Sequence, residues 1–146
     1  MKVIEPHIHM IARTTQDYER MVRMHTIACC EPSFWAGYDR TSSQAFFDYF
    51  THISEFEPTR AAQYQIEHYC WICMNPKEAD DLVLAREVIS FIPEFLPKPT
   101  VLGIGEIGLN LNTSNEMTIF EEQVELALKY DQLIWIHTPH LKDKLK

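Results

Sequence analysis

Hydrophobic and polar positions alternate between two spacings along the chain. Short apolar runs at Val3–His9, Ile27–Glu31, Ile66–Met74, Val101–Glu106 and Leu133–His137 have the length and composition of β-strands. Between them, apolar residues recur every three or four positions, which is the helical spacing. Tyr18, Met21 and Val22 follow the capping pair Thr14-Thr15; Phe46, Tyr49, Phe50 and Ile53 follow Thr41 or Ser42. Leu82, Ala85, Ile89 and Ile92 follow Asn75-Pro76-Lys77-Glu78, which has a capping Asn and a proline at the first helical position. Phe120, Val124, Ala127 and Leu128 follow the capping box Thr113-Ser114-Asn115-Glu116. Pro58, Pro93 and Pro97 mark expected helix ends, and Lys142–Lys146 reads as the first turn of another helix.

Strand–helix alternation with short links predicts βαβ units and a parallel sheet, either doubly wound or closed into a barrel. No repeat, linker or low-complexity tract interrupts the pattern, so residues 1–146 read as a single domain. At 46% hydrophobic and 23% charged, the chain can bury a core. Nothing approaches a membrane span. The N-terminus has no signal-peptide pattern, which makes the cytoplasm the default address.

The formal net charge of −8, without a basic patch, disfavours non-specific gripping of a nucleic-acid backbone. A nucleotide or phosphate substrate stays possible, because bound divalent cations reverse the local sign of a site. Four cysteines occur as Cys29-Cys30 and the CxxC pair Cys70 and Cys73. That pair lies inside an apolar run, where strand alternation would send positions three apart to opposite faces. The thiols therefore read as buried small hydrophobes in a reducing compartment.

The polar residues decide between the two sheet architectures. His7 and His9, two apart on a strand, should project from one face. Glu106 closes the fourth strand in "GIGEIG", and His137 closes the fifth in "IWIHTPH". Parallel strands share one C-terminal end, where barrel enzymes build their sites, so these four side chains can converge there. Imidazole and carboxylate ligands without thiolate suit Zn, Mn, Fe, Co or Ni, with Mg where oxygen dominates. Gly103, Gly105 and Gly108 around Glu106 permit close backbone approach in a crowded centre. Alone, each residue has a plain alternative: an accidental histidine pair, a salt-bridge glutamate, a strand-end histidine.

The segments "EPHIHM", "GIGEIGLN" and "IHTPH", in this order and spacing, make the chain resemble the N-terminal portion of a TatD-type metal-dependent hydrolase. These enzymes belong to the amidohydrolase-like TIM barrels. The resemblance runs over essentially the whole chain, and "GEIGL" is its most specific part. It implies an α/β fold, an incomplete (β/α)8 TIM barrel with about five strands and four to five helices. It also implies two divalent ions (Zn, Mn or Mg): His7 and His9 on one, Glu106 bridging, His137 on the second. The implied activity is hydrolysis by a metal-activated water, on a phosphodiester and possibly DNA.

Three positions depart from that pattern. Glu5 stands where Asp usually precedes the HxH pair, Asn110 follows "GEIGL" in place of Asp, and Pro139 replaces an arginine suited to phosphate. His140 is a candidate substrate contact in place of that arginine, or a solvent histidine at a helix start. The departures weigh on the nuclease assignment more than on the hydrolase assignment. They leave two alternatives open: an amide or ester hydrolase of the same superfamily, and a non-catalytic half-barrel interaction module. A whole barrel runs to about 250 residues. The resemblance calls for a later histidine and aspartate, with the general base in that C-terminal part. The expectation is thus a chain that needs a further half or self-association and is inactive alone.

Overall fold

The computed structural model describes residues 1–137. Its frame is five parallel strands: β1 (Val3–Glu5), β2 (Thr26–Pro32), β3 (Glu67–Ile72), β4 (Val101–Gly108) and β5 (Leu133–His137). Their spatial order is the order of the chain, β1-β2-β3-β4-β5. A doubly wound sheet reverses direction at a switch point. Here each strand is added beside the last, so the sheet curls into a half-barrel as an incomplete TIM barrel does. The expected fold class is therefore correct.

Helices cover the outer side of the sheet: α1 (Thr15–Arg23), α2 (Ser43–Thr51), α3 (Glu57–Ala62), α4 (Leu82–Phe95) and α5 (Ser114–Lys129). The core lies between this layer and the strands. Phe46, Phe50, Ile53, Val88, Ile92 and Phe95 close over Cys70, Ile72, Ile104 and Ile107, all buried. A smaller cluster of Met10, Tyr18, Cys29, Ala61 and Ile66 fills the space under α1 and α3.

Several expected boundaries move, each for a physical reason. The first strand stops at Glu5 rather than His9. Pro6 has no amide hydrogen to extend the ladder, and the chain enters a 3-10 turn at Met10–Ala12. Pro58 does not end its helix. A π-helical turn at His52–Phe56 precedes it, and Pro58 sits in the first turn of α3. Its missing amide would leave the Ser54 carbonyl unpaired, but the Thr100 hydroxyl donates to that oxygen at 2.6 Å. Pro93 likewise lies within α4, because buried Phe95 holds the last turn against Phe47 and Phe50 (ring centroids 5.1 and 5.6 Å).

Asn75 caps only a 3-10 turn, Pro76–Glu78, and α4 is capped separately by Asp81, whose carboxylate accepts from Val83 and Leu84. Val22 and Leu128 are exposed rather than packed. The face that α5 buries is Glu116, Ile119, Gln123 and Ala127, with Phe120 and Val124 at its margin. Two polar side chains defined this face. Gln123 clips β3's exit by accepting from Met74 N–H (2.8 Å) and donating to Met74 C=O (3.1 Å). Glu116 accepts the backbone N–H groups of Asn110, Leu111 and Asn112 while Thr113 caps the helix. The expected terminal helix at Lys142–Lys146 lies outside the described residues.

Candidate metal centre

Beyond Glu5 the first segment leaves the sheet ladder but stays against β2, where Ile8 N–H donates to Cys30 C=O at 3.1 Å. His7 and His9 are thus carried by a loop, and strand alternation does not hold their rings. The two rings still meet, edge to face, with centroids 5.2 Å apart and planes at 89°. His9 stacks on Phe34 (4.0 Å, 23°), while His7 lies edge-on to Trp135 of β5 (5.4 Å, 75°).

The second pair comes from the other side of the sheet's C-terminal end. Gly105 faces Trp135 and Ile107 faces Ile136, so Glu106 is an extra residue in the β4–β5 register. Such a bulge re-aims a side chain near a strand end. The Glu106 Oε1 lies 3.1 Å from Nδ1 of His137, which is paired with Gly108. Glycine is required on both sides of the bulge. A Cβ at Gly105 would sit 2.5 Å from the Trp135 Cβ, and one at Gly108, where φ is +146°, would sit 2.6 Å from the His137 carbonyl oxygen. The crowding inferred from the glycines is therefore real, and β5 causes it.

The chemistry of these groups suits a cation. Burial lowers the His9 imidazole to about 4, helped by the neighbouring His7 and opposed by the Glu106 carboxylate. The Nδ1 of His9 is buried with no hydrogen-bond partner. A buried ring nitrogen without a hydrogen-bond partner, on an imidazole otherwise held by the Pro32 backbone and lying beside a second imidazole and a carboxylate, is a donor set that fits a divalent metal. The gathering is partial. His7 with His9, and Glu106 with His137, form two pairs at one end of the sheet. Among the described residues no three His, Cys, Asp or Glu side chains are drawn into a single ligand cluster. His140 and Pro139 lie outside the described residues.

The cysteines are free, as the sequence suggested, but not for the reason of strand alternation. Cys73 lies past the end of β3, and both Cys70 and Cys73 enter the same outer core. Burial raises the Cys29 thiol to about 12 and also pushes up Cys70 and Cys73, so none is a ready thiolate ligand. Cys73 instead donates its S–H to the Glu106 carbonyl at 3.2 Å.

Two buried polar pairs near the site escape the sequence reading. Glu31 meets His68 at 2.8 Å, and Arg40 meets Glu78 at 2.6 Å. Arg40 also donates to Phe34 C=O and covers the Tyr49 ring (4.1 Å), backing the residue on which His9 stacks. A glutamate and a histidine within apolar strands were the available signal, since neither is buried unless paired. Beside this wall opens a cleft of about 580 Å³ that shares Ile11 and Phe34 with the surroundings of His9.

Residues 7–146 match the family model described as TatD related DNase. An uncharacterised metal-dependent hydrolase of Methanocaldococcus jannaschii is 28% identical over 144 residues, covering 97% of this chain and 55% of its own length. The crystal structure of a TatD-like protein from Archaeoglobus fulgidus superposes with a TM-score of 0.80 at 23% identity. That match covers 98% of this chain and 58% of the other. The chain thus spans little more than half the length of these relatives, and its fold matches the corresponding part of the solved one. Motif order, strand order and the family match agree, and the chain belongs to the TatD-related DNase family.

Proposed function

We propose that this chain supplies the metal-binding half of a divalent-metal-dependent hydrolase acting on phosphodiesters. The observation that carries the reading is the unpartnered, buried Nδ1 of His9 at the strand end shared with His7, Glu106 and His137. His7 and His9 would hold one ion, Glu106 would bridge, and His137 would hold a second. When bound, such cations polarise a phosphoryl oxygen and acidify a water. The residues described here do the positioning. Phe34 and Trp135 orient the two imidazoles by ring contact, and β5 presses the Glu106 bulge toward the same end. Metal charge would also explain how a chain of net charge −8 accepts an anionic substrate. The identity of the ions (Zn, Mn or Mg), a role for His140 at the substrate, and assembly with a further half or a second copy belong to the same proposal.

The test is metal analysis of the whole protein, with hydrolysis of a chromogenic phosphodiester and a chromogenic acyl ester in added Mn²⁺ or Zn²⁺. Phosphodiester turnover that falls at least a hundredfold in His9→Ala supports the proposal. Turnover of the ester alone would move the substrate to the acyl class, in keeping with Pro139 at the phosphate-binding position. No metal uptake at all would leave an interaction module.

A further inference from the structure

The loop that carries His7 and His9 has lost the sheet ladder, yet it is held in register from behind. Ile11, two residues past His9, donates its backbone N–H to Oε1 of Glu31 at 3.1 Å. The other oxygen of that carboxylate, Oε2, lies 2.8 Å from Nε2 of His68 on β3. Both side chains are fully buried. They lie on the outer face of the sheet, in line with Cys29 and Cys70, and so cannot reach the metal centre. Arg60 completes the grip by donating to Met10 C=O (3.4 Å) and Arg13 C=O (2.9 Å), while buried Glu57 holds Arg60 at 3.1 Å.

We propose that Glu31, braced by His68, is a positioning residue for the metal centre: its carboxylate replaces the strand pairing that ends at Glu5 and fixes the height of the His7–His9 loop. This inference rests on the metal-site reading above. A buried carboxylate and imidazole together are costly to desolvate, and replacing such a pair with apolar side chains is often neutral or stabilising. What the pair does here that an apolar pair could not is accept a backbone amide that the sheet leaves unpaired. The adjacent Ile8–Cys30 backbone bond fixes one end of the loop, and Glu31 fixes the other.

The roles divide cleanly between the two oxygens of Glu31, which makes them separable by substitution. Glu31→Gln keeps an acceptor oxygen for Ile11 and is the conservative rescue. Glu31→Ala removes it. His68→Phe leaves the carboxylate in place but takes away its brace. Val88→Ala, in the core beneath α4 and away from β2, is the stability control.

Two measurements on the whole protein decide the matter. Amide hydrogen exchange reads the Ile11 N–H directly, and titration with Mn²⁺ alone reads the metal centre. Glu31→Ala should speed Ile11 exchange at least tenfold relative to core amides such as Ile72 and Ile104. It should also weaken Mn²⁺ binding about tenfold, the scale seen when outer-sphere supports of metal ligands are removed. Glu31→Gln should recover most of both effects, and His68→Phe should fall between. Wild-type Ile11 exchange in Glu31→Ala would overturn the positioning role. Equal loss of Mn²⁺ affinity in Val88→Ala would also overturn it, because general loosening would then suffice. If the wild type binds no Mn²⁺ while Ile11 remains protected by Glu31, it is the metal reading that fails.

Discussion

The two faces of this one sheet are in different states of completion. Cys70, Ile72, Ile104 and Ile107 point toward the helices and are buried. Pro32, Trp71, Gly103 and Leu133 are register partners on the inner face. Moving along that row, Trp71 is buried but Leu133 is 67% exposed, and Ile4 on β1 is 61% exposed. The outer layer is covered where a βα unit brings its own helix, and Ile136 on β5, in line with buried Ile107, is 54% exposed where none of the described helices lies over it. The inner layer fills only when strands face it across a barrel. The candidate metal centre stands at the C-terminal end of this exposed inner face, beside a well-packed outer core.

The sharpest way to break this comparison is at the inner end. Glu106→Gln should remove most bound metal and lower hydrolysis more than a hundredfold in the whole protein, while leaving the outer core folded. Metal analysis with a phosphodiesterase assay reads this, and normal metal content with normal turnover would sink the two-metal arrangement. The next largest contrast is in stability. Ile104→Ala should cost about 2–5 kcal/mol by denaturant titration at low protein concentration. Leu133→Ala on the exposed side should stay within about 0.5 kcal/mol. Equal losses would mean that the inner face is as complete as the outer one.

Association sharpens the comparison further. Among the described residues β1 and β5 are the sheet edges, next to exposed Ile4, Leu133 and Ile136. Light scattering of these 146 residues alone should show dimers or larger species without hydrolytic activity. Ile4→Lys with Leu133→Lys should shift the mass toward the monomer. A monodisperse wild-type monomer that binds two metals and turns over substrate would contradict the open-face reading. The smallest effect is expected at the thiols. Cys70→Ala and Cys73→Ala should each cost on the order of 1 kcal/mol and leave the metal content unchanged. Because burial raises their thiols, both should react slowly with alkylating agents near neutral pH. A folded double variant without metal would return the cysteines to the ligand set.

Local pattern was enough to read the five strands, the capping segments Thr14-Thr15, Thr41 or Ser42 (the structure uses Thr14 and Ser42) and Thr113, and the placement of four polar residues near the C-terminal ends of strands or just beyond. Period and capping are properties of neighbours in sequence, so they survive without tertiary knowledge. The choice between an open doubly wound sheet and a barrel was legible only because His7, His9, Glu106 and His137 implied one convergent end. What the sequence hid depends on residues far apart in the chain. Pro58 and Pro93 lie within helices because Thr100 and the Phe47–Phe50–Phe95 cluster compensate for them. Val22 and Leu128, on helical spacing, are exposed because nothing packs over them. Glu31 and His68, 37 positions apart, become one buried pair only when β2 and β3 lie side by side. The sequence by itself determined the succession of strands and helices along the chain and nominated the candidate ligands, since hydrophobic period and capping place the elements and show which polar residues stand near strand ends. Tertiary structure alone decided that the HxH pair rides on a loop, braced from behind by Glu31, because an amide that leaves the ladder must find its acceptor wherever the fold has brought one.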